Sequence, residues 1–142
     1  MEPQNGLGAS TKPLAVILAG GSSSRFGRDK ALVQYSNSTL LQAIATALEK
    51  TSFQIAISTS HKEHLVFGYP VIWDRKPLLG PLYALGDILE NCREPKILLT
   101  ACDTPLLTPG LAGWLWGMSE GFDATLLEDA CAVSGLSSLT AE

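Results

Sequence analysis

The sequence predicts an α/β fold built on an open, mostly parallel sheet with helices on both faces. Short, nearly continuous apolar runs are typical of strands that are buried on both faces, and they alternate with stretches of helical period. The first apolar run also ends in a glycine-rich, basic loop, at the kind of edge where open α/β sheets bind ligands. The 142 residues suffice for one domain. We expect residues 14–142 to form it and residues 1–13 to be a disordered leader.

The first part of the chain predicts a strand, a loop and a helix. The strand covers Leu14–Leu18 and the loop runs from Gly20 to about Lys30. Residues 31–35 are short enough to be an extended segment, and Ser36–Ser38 offers N-caps for the helix, which we expect to end near residue 50. Its apolar positions have helical spacing: Leu40, Leu41, Ile44, Ala45 and Leu48.

The middle of the chain predicts two further strands and a second helix. The strands are residues 53–58 and 71–73, separated by a loop or short helix over residues 60–66 and a turn at residues 68–70. Pro81 fits the first position of the helix, where its missing N–H costs nothing. We expect this helix to bury five residues: Leu82, Leu85, Ile88, Leu89 and Cys92.

The last part predicts a fourth strand, a third helix and a fifth strand. The fourth strand covers residues 96–101 and the fifth residues 123–127. Thr108 is the predicted N-cap of the helix between them, with Pro109 at its first position. Residues 132–142 are small and polar without a clear period, so we expect them to be frayed.

Composition argues against a protein that binds nucleic acid independently of its sequence. Lys and Arg total 10 against 14 Asp and Glu, so the basic face that sequence-independent nucleic-acid binding requires is not expected. Three basic residues nevertheless fall within six positions, namely Arg25, Arg28 and Lys30. A local positive charge on an acidic protein favours a small anionic ligand as the partner.

The cysteines and the apolar runs indicate a cytoplasmic protein without a membrane partner. Cys92, Cys102 and Cys131 lack CxxC spacing, so neither a disulfide framework nor a zinc site is predicted. No apolar run reaches the roughly 18 residues of a membrane span. The first residues lack the basic start and apolar core of a signal peptide.

The loop from Gly20 to Lys30 is suited to holding an anion. It is neither a Walker A loop, since Gly27 is followed by Arg28 instead of Lys, nor a G-x-G-x-x-G loop. Its glycines allow close backbone approach, and consecutive N–H groups can point at one anion. Arg25 can form a bidentate fork with a phosphate, and Lys30 can act as a point charge. The alternative is a flexible surface loop with incidental charges.

Two carboxylates follow predicted strands and would share the sheet edge with this loop. Asp74 comes after the third strand and Asp103 after the fourth. Magnesium would explain carboxylates beside a phosphate site, because Mg²⁺ is bound through one or two carboxylates and substrate phosphate oxygens. The alternative is that each caps a turn or helix; Thr104-Pro105 makes that role plausible for Asp103.

Other reactive side chains receive structural interpretations. His61 and His64 are three apart and could share a helix face, but no further ligand lies nearby, so we expect surface residues. Cys102 has no visible base beside it, which favours a buried strand-end cysteine over a nucleophile. Trp114 and Trp116 are expected to pack.

Residues 18–30, LAGGSSSRFGRDK, resemble the LAGG-x-S-x-R-(M/F)-G-x-D-K signature of the molybdenum cofactor guanylyltransferases, the MobA family. Three later features agree in order and spacing. Val71-Ile72-Trp73-Asp74 resembles the family's strand-end Asp, Gly80-Pro81-Leu82 its G-P-L helix start, and Cys102-Asp103-Thr104-Pro105 its C-D-x-P magnesium loop. The resemblance covers about residues 14–127 and favours the metal role for Asp103.

This resemblance implies a Rossmann-like nucleotidyltransferase fold and a set of site residues. Leu18, Ala19 and Gly20 would contact the guanine nucleotide, with Gly21, Ser22 and Gly80 among the residues that bind it. Lys30 would hold the phosphates, and Asp74 would contribute to nucleotide binding. Asp103 would hold Mg²⁺. Arg25, Lys30 and Asp103 are the predicted catalytic residues.

The reaction that the resemblance implies is Mg²⁺-dependent transfer of GMP from GTP to the molybdopterin cofactor, with release of pyrophosphate. The acceptor phosphate is already an anion, so no general base is required. Family members continue past the fifth-strand region into a part that helps to bind molybdopterin, and residues 130–136 do not resemble that part. Alternatives are a related enzyme that uses CTP or a sugar-phosphate acceptor, and a truncated, non-catalytic nucleotide-binding protein. A monomer or weak homo-oligomer is expected.

Overall fold

A four-stranded parallel sheet forms the centre of the fold. The computed structural model describes residues 12–20, 29–102, 108–128 and 132–136. The strands of the sheet are β1 (Leu14–Leu18), β4 (Gln54–Thr59), β5 (Val71–Trp73) and β6 (Ile97–Ala101). They have the order β5-β4-β1-β6 in the sheet, and all of the strand pairs are parallel. The predicted α/β class and the predicted parallel sheet are confirmed.

The order of the strands creates a switch point between β1 and β6. From β1 the chain builds outward to β4 and β5, and then crosses back to add β6 on the other side of β1. Leu18 at the end of β1 lies opposite Ser58 on one side and Ala101 on the other. Ligands of open α/β sheets bind outside the carboxyl ends of the strands at such a reversal. The loops that leave β1 and β6 therefore begin at the expected ligand site.

Helices cover both faces of this sheet. On one face, α1 (Leu40–Glu49) and α3 (Pro109–Met118) pack on β1 and β4 in a cluster that includes Ile17, Ile57 and Leu48. On the other face, α2 (Pro81–Asn91) packs through Ile88 on Val16. The alternate residues of β1 thus serve two separate cores, which explains its continuous apolar run.

A short hairpin precedes α1 where the sequence predicted caps at residues 36–38. Strands β2 (Gln34–Tyr35) and β3 (Ser38–Thr39) pair antiparallel, after a 3-10 helix at Lys30–Leu32. The N-cap of α1 is Thr39, whose hydroxyl accepts from Gln42 N at 3.2 Å. The cap prediction was wrong because residues 36 and 37 form the turn of the hairpin. The predicted burial of Leu41, Ile44, Ala45 and Leu48 is confirmed.

The predicted buried face of α2 was wrong in part. Leu82 and Leu89 are 75% and 62% exposed, whereas Ala84, Asp87 and Ile88 are buried. The buried stripe runs through Ala84 and Ile88, four residues apart on one helix face, and Ile88 packs in the cluster with the strand residues. A carboxylate can join that buried stripe because Asp87 has hydrogen-bond donors from Arg75.

Antiparallel pairing continues near the end of the described chain. Strand β7 (Ala124–Glu128) pairs with β8 (Ala132–Leu136) in a separate two-stranded sheet. The strand predicted at residues 123–127 is confirmed, but the frayed end is wrong for residues 132–136. Small residues gave no strand pattern there, and ladder bonds between backbones need none. Thr108 and Pro109 begin α3 as predicted.

Within the described ranges, three 3-10 helices lie in the connections, namely Lys30–Leu32, Lys62–Phe67 and Pro77–Leu79. The longest helix in the described ranges, α2, has 11 residues, and none of the helices there combines the length and apolarity needed to cross a membrane.

Candidate functional site

The carboxyl edge of the sheet is held together by backbone hydrogen bonds beyond the strand ends. Ala19 N donates to Ser58 O at 2.8 Å, Asp74 N to Thr59 O at 2.9 Å, and Cys102 N to Leu18 O at 3.2 Å. The residue that follows β1, β5 or β6 is thus still hydrogen-bonded to the neighbouring strand. This edge therefore brings together Leu18, Ala19 and Asp74, three of the residues that the sequence predicted for the nucleotide.

Gly20 packs closely against the end of two neighbouring strands. A Cβ built on Gly20 would lie 3.2 Å from Asp74 Oδ2 and 3.3 Å from Thr59 Cα. The backbone at the start of the loop can approach this edge because the residue lacks a side chain. Asp74 is 7% exposed, and its Oδ1 accepts from Lys76 N at 3.1 Å. The first glycine of the loop and the strand-end carboxylate thus share one corner of the site.

The other end of the loop returns to a fixed position at Asp29. Asp29 is the N-cap of the 3-10 helix that begins at Lys30, and its Oδ1 accepts from Ala31 N at 3.0 Å. Lys30 is half-buried. Its carbonyl accepts from Val33 N at 3.2 Å. The predicted phosphate-binding lysine therefore occupies the first turn of an ordered, capped segment.

His64 was predicted to lie on the surface, and this was wrong. Its side chain is fully buried, with Nε2 at 2.5 Å from Asp29 Oδ2 and Nδ1 at 2.6 Å from Thr59 Oγ1. The prediction failed because Asp29 lies 35 positions away in the sequence, so spacing alone gave no sign of it. A histidine can be buried here because both ring nitrogens have polar partners. His61 is half-buried.

Gly80 has a backbone conformation that favours glycine. Its φ of 95° and ψ of −179° fall in a region that is essentially restricted to glycine. It is the N-cap of α2, and Pro81 follows at the start of the helix. The glycine that the sequence assigned to the G-P-L motif is thus required by the turn itself.

A groove of about 440 Å³ lies along the outer side of α2, between that helix and the segment after β5. Arg75 donates to Asp87 and pairs with Glu90 at 2.6 Å. Its backbone N–H and guanidinium keep the pKa of the Asp87 carboxyl below its ordinary value despite burial. The ammonium of Lys76 lies 5.3 Å from the centre of the Tyr83 ring, within the range of a cation–π contact. The groove is lined by charges that already have partners in the fold.

Four predicted site residues, Gly21, Ser22, Arg25 and Asp103, lie outside the described residues. No three His, Cys, Asp or Glu side chains within the described ranges cluster as a metal site. Mg²⁺ needs only one or two carboxylates when phosphate oxygens complete its coordination. The donor chemistry at this edge, with Asp74 at the end of β5, therefore fits that ion. Cys102 is half-buried and packs against the core.

Comparison with known proteins gives consistent matches. The family model described as MobA-like NTP transferase domain matches residues 15–133. A probable molybdenum cofactor guanylyltransferase of Carboxydothermus hydrogenoformans is 33% identical over 111 residues, 78% of this chain and 56% of that protein. The molybdenum cofactor guanylyltransferase of Haemophilus influenzae is 36% identical over 121 residues, 82% of this chain and 62% of that protein. The chain thus spans 56% and 62% of the length of these two curated relatives.

A solved structure shares the fold. A nucleotidyl transferase from Methanothermobacter superposes with a TM-score of 0.67 at 19% identity, covering 79% of this chain and 60% of that one. The family model covers most of the chain, including the start of the glycine-rich loop, Asp74 and the end of β6. The chain belongs to the MobA-like NTP transferase domain family.

Proposed function

We propose that this chain binds GTP with Mg²⁺ and transfers GMP to the molybdopterin cofactor, releasing pyrophosphate. The observation that carries the proposal is that Gly20 and Asp74 lie together at the carboxyl edge of the sheet. The cap residue before Lys30 is tied to the same edge, because Asp29 is hydrogen-bonded through His64 to the end of β4. Membership of the MobA-like family and the similarity to curated guanylyltransferases support guanine as the base and molybdopterin as the acceptor.

Positive charge and close approach of the loop backbone to the phosphates would provide most of the binding free energy. Because Gly20 lacks a side chain, the start of the loop packs against the strand ends, and the N–H groups of the loop that follows would face the phosphates of the nucleotide. Lys30 and Arg25 would neutralise the triphosphate, with Arg25 able to form a bidentate fork. Asp103 would hold Mg²⁺, and Asp74 would contribute to the binding of the nucleotide.

The reaction requires alignment of two phosphates more than proton transfer. A terminal phosphate of the acceptor is already a nucleophile, so it can attack the α-phosphorus of GTP without a general base, while the bond to pyrophosphate breaks. Bound Mg²⁺ would supply electrostatic stabilisation of the charge that develops on the phosphates. Arg25 and Lys30 would stabilise the leaving pyrophosphate. We propose a cytoplasmic protein, monomeric or weakly homo-oligomeric.

Thermal shift with GTP, CTP, ATP and UTP, each with Mg²⁺, tests the nucleotide. A ligand that binds the folded state raises its apparent stability, so GTP should give the largest shift. A larger shift with CTP would favour the related cytidylyl enzyme, and no shift with any nucleotide would refute nucleotide binding. Pyrophosphate release on addition of molybdopterin tests turnover; a GTP shift without release would favour a non-catalytic nucleotide-binding protein.

Two variants assign the roles of the charged residues. Lys30→Ala should weaken GTP binding, and Asp103→Ala should abolish Mg²⁺-dependent pyrophosphate release while leaving the folded state intact. Full activity of the Asp103 variant would contradict its metal role. Loss of stability without a specific loss of Mg²⁺ dependence would favour the capping role.

A further inference from the structure

A relay of hydrogen bonds through the side chains of Thr59, His64 and Asp29 connects β4 to the segment that carries Lys30. Thr59, the last residue of β4, and His64 are both fully buried. An ionised Asp29 carboxylate can only accept, so His64 Nε2 carries the proton and donates. Thr59 Oγ1 accepts from His61 N at 3.0 Å and can donate its own proton to Nδ1. Each polar atom of the relay thus has a partner.

The relay also joins the two ends of the anion loop. At the start of the loop, the Gly20 backbone packs on Thr59, whose Cα would be 3.3 Å from a Cβ at that position. At its end, Asp29 uses one carboxylate oxygen for His64 and the other for Ala31 N. One strand end therefore sets the positions of both Gly20 and the residue before Lys30.

The surroundings of His64 restrict its movement. The centre of the His61 ring lies 5.3 Å from the centre of the His64 ring in an edge-on arrangement, and the centre of the Phe67 ring lies 6.2 Å from it. Burial makes loss of either hydrogen bond costly, because an uncompensated polar group would be left in the interior. A buried imidazole ring that is hydrogen-bonded through both nitrogens is a rigid support for the carboxylate that it contacts.

We propose that His64 is a positioning residue for Lys30, which it orders through Asp29. The inference rests on the proposed function, because the consequence of ordering Lys30 is tighter binding of the nucleotide phosphates. His64 itself touches neither the substrate nor the reacting atoms. It fixes the Asp29 carboxylate, the carboxylate caps the first turn, and that turn presents Lys30.

A double-mutant cycle between His64 and Lys30 tests this route. His64→Leu should weaken Mg²⁺–GTP binding roughly ten-fold, the scale of a lost hydrogen bond to a charged group. In the Lys30→Ala background the same change should alter the affinity by less than about two-fold, because residues that act through one another are not additive. His64→Gln, which keeps an N–H donor for Asp29, should restore part of the affinity. Equal losses in both backgrounds would overturn the proposal.

Exchange of the Ala31 amide provides a measurement that needs no nucleotide. His64→Leu should accelerate this exchange in NMR, whereas Glu63→Gln, an exposed change on the same 3-10 helix, should not. Ile88→Val in α2, which belongs to the separate core on the other face of the sheet, serves as the control for general loss of stability and should leave Ala31 protected. Unchanged Ala31 exchange in His64→Leu would overturn the ordering role. Failure of the unaltered protein to bind any nucleotide would instead refute the proposed function, and Ala31 exchange would still decide whether His64 orders this turn.

Discussion

Asp74 Oδ2 lies 3.2 Å from the position that a Cβ on Gly20 would occupy. This distance links the first residue of the anion loop to the carboxylate that follows β5. Contacts between 3.0 and 3.4 Å require a neighbour to move, and the second neighbour, Thr59 Cα, belongs to the backbone of a central strand. The corner of the site is therefore built for glycine.

Gly20→Ala should disturb this corner and weaken GTP binding. The added methyl overpacks the site, and we expect a loss of about 1–3 kcal/mol in the free energy of unfolding, measured by urea denaturation. Gly113→Ala in α3 is the matched control, because nothing lies within 4 Å of its Cβ position. Alanine is the better helix former there and should add about 0.5–1 kcal/mol. Equal stability changes in the two variants would contradict the packing at Gly20.

Gly80→Ala should destabilise the protein through its backbone alone. No atom lies within 4 Å of a Cβ at this position, but its φ is 95°. A residue forced into this region costs about 1–3 kcal/mol, which urea denaturation would detect. Gly68→Asn is the control: Gly68 has a φ of 79° and a ψ of 4°, a left-handed conformation that asparagine tolerates. A smaller loss at Gly80 than at Gly68 would refute the argument.

Asp87→Asn should destabilise the protein in a pH-dependent manner. The Arg75 backbone N–H, which bonds Asp87 Oδ2 at 2.9 Å, is the main cause that lowers the pKa of the Asp87 carboxyl. Because the pKa of this carboxyl is lower in the folded protein than the value of about 3.9 in the unfolded chain, its charge stabilises the fold at pH values above about 3.9. This stabilisation is lost as the pH falls through the pKa of the folded state. At pH 7 the variant should lose about 1–3 kcal/mol of unfolding free energy.

The difference between the unaltered protein and Asp87→Asn should therefore narrow as the pH is lowered from 6 towards 3, which urea denaturation across that range would measure. Glu90→Gln is the control. Glu90 and Arg75 are 66% and 63% exposed in their side chains, and solvent screening makes the contribution of such an exposed pair to stability small. A gap for Asp87→Asn that stays constant over this range would contradict the role of its charge.

The sequence was sufficient to predict the sheet because its strands leave a direct signal. The apolar runs of β1 and β5 indicate buried strands. The glycine-rich loop after β1 indicates the edge of the sheet at which a ligand is expected. Helix faces were less certain: Asp87 is buried through a donor from Arg75, and a hydrophobic pattern assigns such a carboxylate to solvent. The leucines at 82 and 89 attracted the prediction instead.

Local motifs in the sequence were sufficient to single out Gly20, Asp74 and Gly80, whereas the distant hydrogen-bond partner of His64 left no local signal. Gly20, Asp74 and Gly80 each follow a recognisable local pattern, and the fold gives each a physical role. The role of His64 could be identified only from the structure, because α1 lies between its partner Asp29 and its partner Thr59 along the sequence. No spacing rule joins an aspartate to a histidine 35 positions away.

Cys92 should react slowly with thiol reagents in the folded protein. Burial, followed by the negative charge of Glu94, raises the pKa of the Cys92 thiol to about 11. Only the thiolate is nucleophilic, so a rise of about two pH units in pKa lowers its population at pH 8 roughly 100-fold. Iodoacetamide labelling at pH 8, followed by peptide mass spectrometry, resolves Cys92 from the other cysteines. The same labelling in about 8 M urea, which unfolds the chain and serves as the reference, should be fast. Equal labelling rates in the folded and unfolded chains would show that the position of Cys92 at the end of α2 does not protect its thiol.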